Sequence, residues 1–470
     1  MDLLPFLDEG ALVVADEAPR HSDPLSFPDY PASLDAARAK SGHDESVVSG
    51  SARVGGHEVE VAGFVFGFLG GSMGEEAGER LARSMERAAD RGVPFILRTA
   101  TGGARMQEGM RSLIQMPRLV VARRSLASAR VPFVVILGHP STGGVLASLG
   151  ALADVTVAEA DATIGFAGPR VAASFTGEAL PPGSHTAGAA LASGLVDEVV
   201  PASDVRTYLI ELLSVLAPAL PRPGTPAGPP SLEEVDAWHA VERARAAERT
   251  AAPDLLTSMS EAFVELRGDR AGRDDPAFVC GLARVRGRPL VAIAMDRDHF
   301  PGPHAYRKAQ RCVSLAQRLR LPIVTLVDTR GADPSAASER EGIAWAIAST
   351  FDALLGCTVP VVSFVTGEGG SGGALALAAG DRLVAFSDSV FSVIGPEGAA
   401  AILWRDATRA DEAARLLRLT AVDLLNLGIA DRLLTGPPSP DALADAVLVE
   451  LDLIGPEPDV AARHARWRSG

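Results

Sequence analysis

One relation within the chain constrains its fold more than any other: the second half repeats the first. The segment VPFVVILGHPSTGGVLASLGALAD (131–154) returns as VPVVSFVTGEGGSGGALALAAGD (359–381). Pro132 pairs with Pro360, Gly143-Gly144 with Gly372-Gly373, and Asp154 with Asp381. Upstream, GGAR (102–105) pairs with RGAD (330–333); downstream, ADATIGFAGP (160–169) pairs with SDSVFSVIGP (387–396). The anchors keep their order, and the offset stays between 227 and 229. A steady offset over so many anchors means two copies of one structural plan.

Each copy reads strand, Gly-loop, helix, strand, Gly-loop, helix, strand. That alternation predicts an α/β fold with a largely parallel sheet. In the first copy an alternating strand pattern begins at Ser51, and an amphipathic helix is expected over Glu75–Gly92, with Leu81, Met85 and Ala88 at helical spacing. A short buried strand, Val93–Arg98, then runs into TATGGAR. Residues 1–50 are polar and read as a surface arm or cap. Residues 217–230 carry six prolines in fourteen positions, which neither a helix nor a central strand tolerates. A linker is expected there, between an N domain (1–216) and a C domain (231–470). A charged helical stretch, Leu232–Thr250, and a strand-rich start at Asp275–Met295 follow it.

Composition narrows the function. Hydrophobic residues make up 47% and charged residues 22%, which suits a full globular core and excludes a mainly disordered chain. The net charge of −15 argues against general affinity for nucleic acid or an anionic membrane, while leaving room for a local basic pocket. Cys280, Cys312 and Cys357 are too few and too scattered for a disulfide framework or a four-thiolate zinc site, so no metal is expected. The start, MDLLPFLDEG, has no basic n-region, so no secretory signal is expected. The uncharged run Val131–Ala153 is broken by Pro132, Pro140 and Gly143-Gly144, which argues against a membrane span. A cytoplasmic location is the expectation.

The chemistry is expected in the Gly-loops. Glycine lets a chain turn tightly and lets a ligand approach the backbone. The helix after each loop aims free N–H groups and its positive dipole end at the same point. Two such donors make an oxyanion hole. The candidates are Gly143, Gly144, Gly372 and Gly373, with Gly102, Gly103, Gly331 and Ala332 as sources of second donors. No phosphate-binding P-loop pattern competes with this reading. His139 lies in the first Gly-loop, and His299, His304, Arg307 and Lys308 form a possible anion grip. No general base stands out. Two oxyanion holes without a base suit thioester chemistry, in which an enolate is stabilised and the proton acceptor arrives with a substrate.

These residues resemble a known family. TGGARMQEGMRSLIQM (101–116) and IGFAGPRV (164–171) look like the β subunit of the acetyl-CoA carboxylase carboxyltransferase. VELRGDRAGRDDPAFVCGLARVRGRPLVAIA (264–294), AYRKAQR (305–311), GEGGSGGALAL (367–377) and VIGPEGAAAILW (393–404) look like its α subunit. The chain thus resembles a fusion of the two. The resemblance implies two tandem ClpP/crotonase-like domains. It also implies transfer of a carboxyl group between carboxybiotin on a carrier protein and an acyl-CoA, with the Gly-Gly amides holding the enolate and ureido oxygens. A biotin carboxylase, a biotin carboxyl carrier protein and a homodimer with its site at the interface are the implied partners. Arg105, Arg307 and Lys308 are candidates for CoA contacts.

Two departures from the family pattern stand out. The four-cysteine zinc ribbon of the β subunit has no counterpart here, and the α-subunit loop DTPGAYPG reads DTRGADPS (328–335), putting Arg330 beside an expected oxyanion loop. Two further readings therefore stand beside carboxyl transfer: a biotin-independent decarboxylase of malonyl-type thioesters, and a non-catalytic carboxylase subunit. The acceptor can be an acyl-CoA or an acyl-carrier thioester.

Overall fold

Strand-forming runs of Val, Ile, Leu and Phe set the architecture. In the computed structural model, which describes residues 4–15, 23–178, 180–217, 222–226, 228 and 235–469, these runs build two sheets in two units. Half of the expected linker at 217–230, and the start of the helical stretch expected from Leu232, lie outside the described residues. One unit comprises Met1–Leu213 with Arg270–Gly272; the other comprises Ser214–Asp269 with Arg273–Gly470.

The first unit contains β1 (Val13–Val14), β2 (Val47–Val54), β3 (His57–Phe64), β4 (Phe95–Thr101), β5 (Phe133–Thr142), β6 (Val155–Glu159), β7 (Ile164–Gly165) and β8 (Glu198–Val200). The order is β1-β2-β3-β4-β5-β6-β8, with β7 beside β5. β2 and β3 form an antiparallel hairpin, and the sheet is parallel from β3 onward. The hairpin turns at Gly55-Gly56, both at positive φ, and both amides donate to Asp8 at 2.8 Å. β4 and β5 are buried along most of their length, as parallel strands covered on both faces must be.

The expected amphipathic helix forms as Glu75–Arg91 and buries Leu81, Met85 and Ala88. Gly92 ends it in the left-handed conformation that favours glycine. The segment 1–50 is more than a surface arm. Its helix Tyr30–Ser41 buries Tyr30, Leu34 and Ala37 against Val48, Val65 and Phe68.

The second unit contains β9 (Ala262–Glu265), β10 (Phe278–Val285), β11 (Arg288–Met295), β12 (Ile323–Thr329), β13 (Val361–Gly370), β14 (Arg382–Phe386), β15 (Val390–Ser392) and β16 (Arg432–Leu434). Its order, β9-β10-β11-β12-β13-β14-β16 with β15 beside β13, repeats that of the first unit strand for strand. β12 and β13 lie 228 positions after β4 and β5. Each unit has its own apolar core. Among the described residues, the charged stretch after the linker forms the short helix Ala237–Ala244, after which Arg245 and Arg249 turn inward. Among the described residues no helix is long and apolar enough to cross a membrane.

Candidate active site

In both units the two Gly-loops meet because their strands are neighbours. Thr101 of β4 pairs with Ser141 of β5, and Thr329 of β12 pairs with Gly369 of β13. In each pairing the register shifts near the end of the strand, splaying the loops toward each other.

In the first unit the contact is backbone on backbone. Gly143 has φ +71°, and a Cβ there would lie 2.8 Å from the Gly103 Cα. Several amides are already engaged. Gly102 N–H donates to the Gly70 carbonyl at 3.0 Å, Gly103 N–H to Thr101 Oγ1 at 3.0 Å, and Gly143 N–H to the Phe166 carbonyl at 3.0 Å. Among the described residues the amides of Ala104 and Gly144 have no acceptor, and Gly144 lies in the first turn of the helix Gly143–Ser148.

The second unit repeats this arrangement. Gly331 N–H is held by Thr329 Oγ1 at 3.3 Å. A Cβ on Gly370 would meet the Arg330 carbonyl at 2.1 Å, so only glycine fits there. The amides of Ala332 and Gly372 have no acceptor among the described residues. A Cβ on Gly372 would meet nothing within 4 Å, whereas one on Gly373 would lie 2.8 Å from both Ala332 N and Tyr306 Oη.

The strand register sets the repeat offset at 228 through the loops, so Gly144 matches Gly372 and Gly143 matches Ser371. Pairing the glycines by identity shifts this by one residue. The same register matches Ala104 with Ala332. Sequence reasoning did not single out Ala104, although the constant offset from Ala332 points to it.

Three of the charged candidates, Arg105, Arg307 and Lys308, are held by partners within the chain. Arg105 is buried, and its guanidinium donates to both oxygens of Glu45, to Glu108 and to the Ser72 carbonyl. Tyr30 Oη donates to Glu108 Oε1 at 2.6 Å. Burial by itself would depress the Arg105 guanidinium, but Glu45 more than reverses this, so it stays cationic. Arg105 thus pins the first Gly-loop to the N-terminal segment and leaves little edge for a phosphate. Lys308 is equally buried, donating to Asp274 Oδ1 and the Asp275 carbonyl at 2.7 Å. Arg307 donates to the Glu341 carbonyl at 2.7 Å. His299 faces Asp296, and His304 lies between Asp269 and Glu341. The residues of the expected anion grip are therefore engaged within the chain, by carboxylates and backbone carbonyls.

Arg330 differs from these. It is exposed and has no hydrogen bond or ion pair among the described residues. It lines a cavity of about 380 Å³ with Arg245, Arg249, Arg297, Asp328 and Glu368. The other three arginines are engaged. Arg245 binds Glu368 at 2.6 and 2.7 Å and Glu397 at 2.6 Å. Arg249 binds both oxygens of Asp328 at 2.9 and 2.7 Å, and Arg297 donates to the carbonyls of Ala246 and Ala247 at 2.9 Å. Burial pushes the Asp328 carboxyl above its ordinary value despite Arg249. The Asp333 carboxylate turns back to Ser335 N at 2.9 Å and does not pair with Arg330.

Comparison with known proteins adds to this geometry. A family model described as acetyl co-enzyme A carboxylase carboxyltransferase-like matches residues 230–445. The acetyl-coenzyme A carboxylase carboxyl transferase subunits beta/alpha of Salinispora arenicola are 44% identical over 461 residues, covering 93% of this chain and 81% of the relative. A probable biotin-dependent acyl-coenzyme A carboxylase beta3 subunit of Mycobacterium bovis is 37% identical, covering 95% and 90%. Among solved structures, transcarboxylase 12S superposes with a TM-score of 0.80 at 24% identity, covering 97% of this chain and 89% of that one. That likeness shows the fold: two tandem crotonase-like domains.

Proposed function

The chain belongs to the carboxyltransferases of the biotin-dependent acyl-CoA carboxylase family, and on that footing we propose that it moves a carboxyl group between carboxybiotin and a small acyl-CoA of the acetyl-CoA/malonyl-CoA type. One observation carries the reading: among the described residues each unit presents open amides from both Gly-loops where they meet, Ala104 with Gly144 and Ala332 with Gly372. Carboxyl transfer to the α-carbon of a thioester develops charge on two oxygens, the thioester enolate and the biotin ureido oxygen. Two repeat-related donor pairs match that demand, and fixed backbone donors stabilise such charge without reorganising. Biotin, delivered on a carrier protein, supplies the ureido nitrogen that carries the carboxyl and later accepts the α-proton. A biotin carboxylase and a biotin carboxyl carrier protein are the partners this reading requires, in the cytoplasm.

Arg330 serves in this reading as a grip for the carboxylate in transit, because its guanidinium lines the cavity beside the second loop with no hydrogen bond or ion pair among the described residues. A second copy of the chain covers the apolar side chains exposed after each Gly-loop: Phe166 and Phe175 in the first unit, Val393 and Ile402 in the second.

The test is decay of malonyl-CoA with purified protein, with and without biocytin. Loss of malonyl-CoA that requires biocytin supports transfer. Release of CO2 and acetyl-CoA without biocytin selects biotin-independent decarboxylation, a second reading that Arg330 in place of the resembled loop's proline favours. Stable binding of a biotin carrier with no turnover of either kind selects a non-catalytic subunit.

A further inference from the structure

Ser371 opens the helix Ser371–Ala378 with φ +60°. Side chains other than glycine rarely adopt that conformation. The matching residue of the first unit is a glycine, Gly143, with φ +71°. The second copy of the fold thus carries a strained serine where the first uses the residue suited to the turn. Packing does not account for it. Ser371 is exposed, and its hydroxyl has no partner among the described residues. The space beside the next residue, Gly372, is open.

A separate observation concerns Gly373, two residues further along the same helix. Tyr306 is fully buried, and its Oη has no hydrogen-bond partner among the described residues. Together with the open Ala332 amide it converges on Gly373, each 2.8 Å from where a Cβ on Gly373 would stand. Buried donors without acceptors are rare, because leaving them unmet is costly. Its repeat counterpart in the first unit is Gly78, which has no hydroxyl to offer.

We propose that Ser371 contacts the ligand in the second unit's site: its hydroxyl donates to the carbonyl-type oxygen that the Ala332 and Gly372 amides receive. The inference rests on the carboxyl-transfer reading above and gives it a side-chain determinant. That oxygen belongs either to the biotin ureido group or to the acyl thioester, and the test separates the two.

The full chain is made as Ser371→Gly and Ser371→Ala. Glycine relieves the backbone strain, so Ser371→Gly is expected to melt no lower than wild type and up to about 2 °C higher. Ser371→Ala removes the hydroxyl and keeps the strain, so it is expected to melt no higher than wild type. Both are expected to lose about tenfold in kcat/KM for malonyl-CoA-driven carboxylation of biocytin. A loss in the biocytin parameter assigns the hydroxyl to the ureido oxygen; a loss in the malonyl-CoA parameter assigns it to the thioester. Wild-type kcat/KM in Ser371→Ala overturns the proposal, whatever Ser371→Gly does. If the wild-type chain moves no carboxyl group, the carboxyl-transfer reading fails, and calorimetric titration with biocytin and with acetyl-CoA decides on Ser371. Weaker binding by Ser371→Ala upholds the contact, and equal or absent binding overturns it.

Discussion

Gly103 and Gly143 touch through their main chains: a Cβ on Gly143 would lie 2.8 Å from the Gly103 Cα, and one on Gly103 would lie 3.2 Å from the Gly143 Cα. Both have positive φ. The open amides of Ala104 and Gly144 are side by side only because these two glycines let the loops close. Gly143→Ala therefore strains the turn and pushes the loops apart. It is expected to cost about 1–3 kcal/mol of stability and at least about a hundredfold in transfer rate. Gly372→Ala is the contrasting case, since its Cβ would enter open space. It is expected to unfold like wild type and to change substrate KM alone. Urea unfolding and steady-state kinetics on both variants check the contrast.

The Arg105–Glu45 pair gives a second prediction. Removing one partner of a buried ion pair strands the other, at about 3–5 kcal/mol. Glu45→Gln is therefore expected to lower the unfolding midpoint of the first unit sharply at pH 7. The pH dependence has a definite sign. Burial pushes the Glu45 carboxyl up, but Arg105 outweighs it and holds the carboxyl below its ordinary value of 4.5. The unfolded chain then takes up the proton more readily than the folded one. The stabilisation is complete above about pH 4.5 and is lost as pH falls through the lower folded value. Wild type should lose stability steeply on the acid side, and Glu45→Gln should show a flatter limb. Parallel acid limbs would sink the argument.

The sheet was legible in the sequence because its strands are apolar runs and each run occurs twice. The Gly-loops were legible for the same reason. The donors themselves were harder to read, because the site is made of backbone N–H groups and residue identity says little about which amide is free. Alanines 104 and 332 carry open amides that no side chain advertises, while the more conspicuous Gly102, Gly103 and Gly331 have theirs engaged. Arg105 read as a ligand contact because its partners Glu45 and Tyr30 lie 60 and 75 residues away in the chain. Only the fold brings those carboxylate and phenol groups to it.

Arg330 separates binding from folding. It has no hydrogen bond or ion pair to lose among the described residues, so Arg330→Gln is expected to leave unfolding within about 0.5 kcal/mol of wild type. If the guanidinium grips the carboxylate in transit, KM for malonyl-CoA should rise about tenfold while inhibition by acetyl-CoA, which lacks that carboxylate, stays unchanged. Equal effects on malonyl-CoA and acetyl-CoA would place Arg330 on the shared CoA portion instead. Arg330→Pro, which restores the residue of the resembled loop, tests the decarboxylase alternative: any biotin-independent CO2 release should fall and biocytin dependence should rise.

The last prediction concerns assembly and follows from the repeat. Phe166 and Val393 are counterparts, as are Phe175 and Ile402, each pair 227 positions apart. Their exposures are 70% and 71%, then 91% and 71%. Large apolar side chains kept exposed at matching places in both copies of a fold mark a surface that something covers. A second copy of the chain accounts for both at once, because a two-fold pairing buries each patch twice. Phe175→Asp and Ile402→Asp are expected to convert the chain from dimer to monomer in light scattering. The side chains are exposed within each unit, so the midpoint of that unit's own unfolding should move little. Carboxyl transfer should fall at least about tenfold in both variants, in proportion to the monomer fraction. A wild-type chain that is monomeric at working concentration, or variants that stay dimeric and active, would remove the second copy from the site.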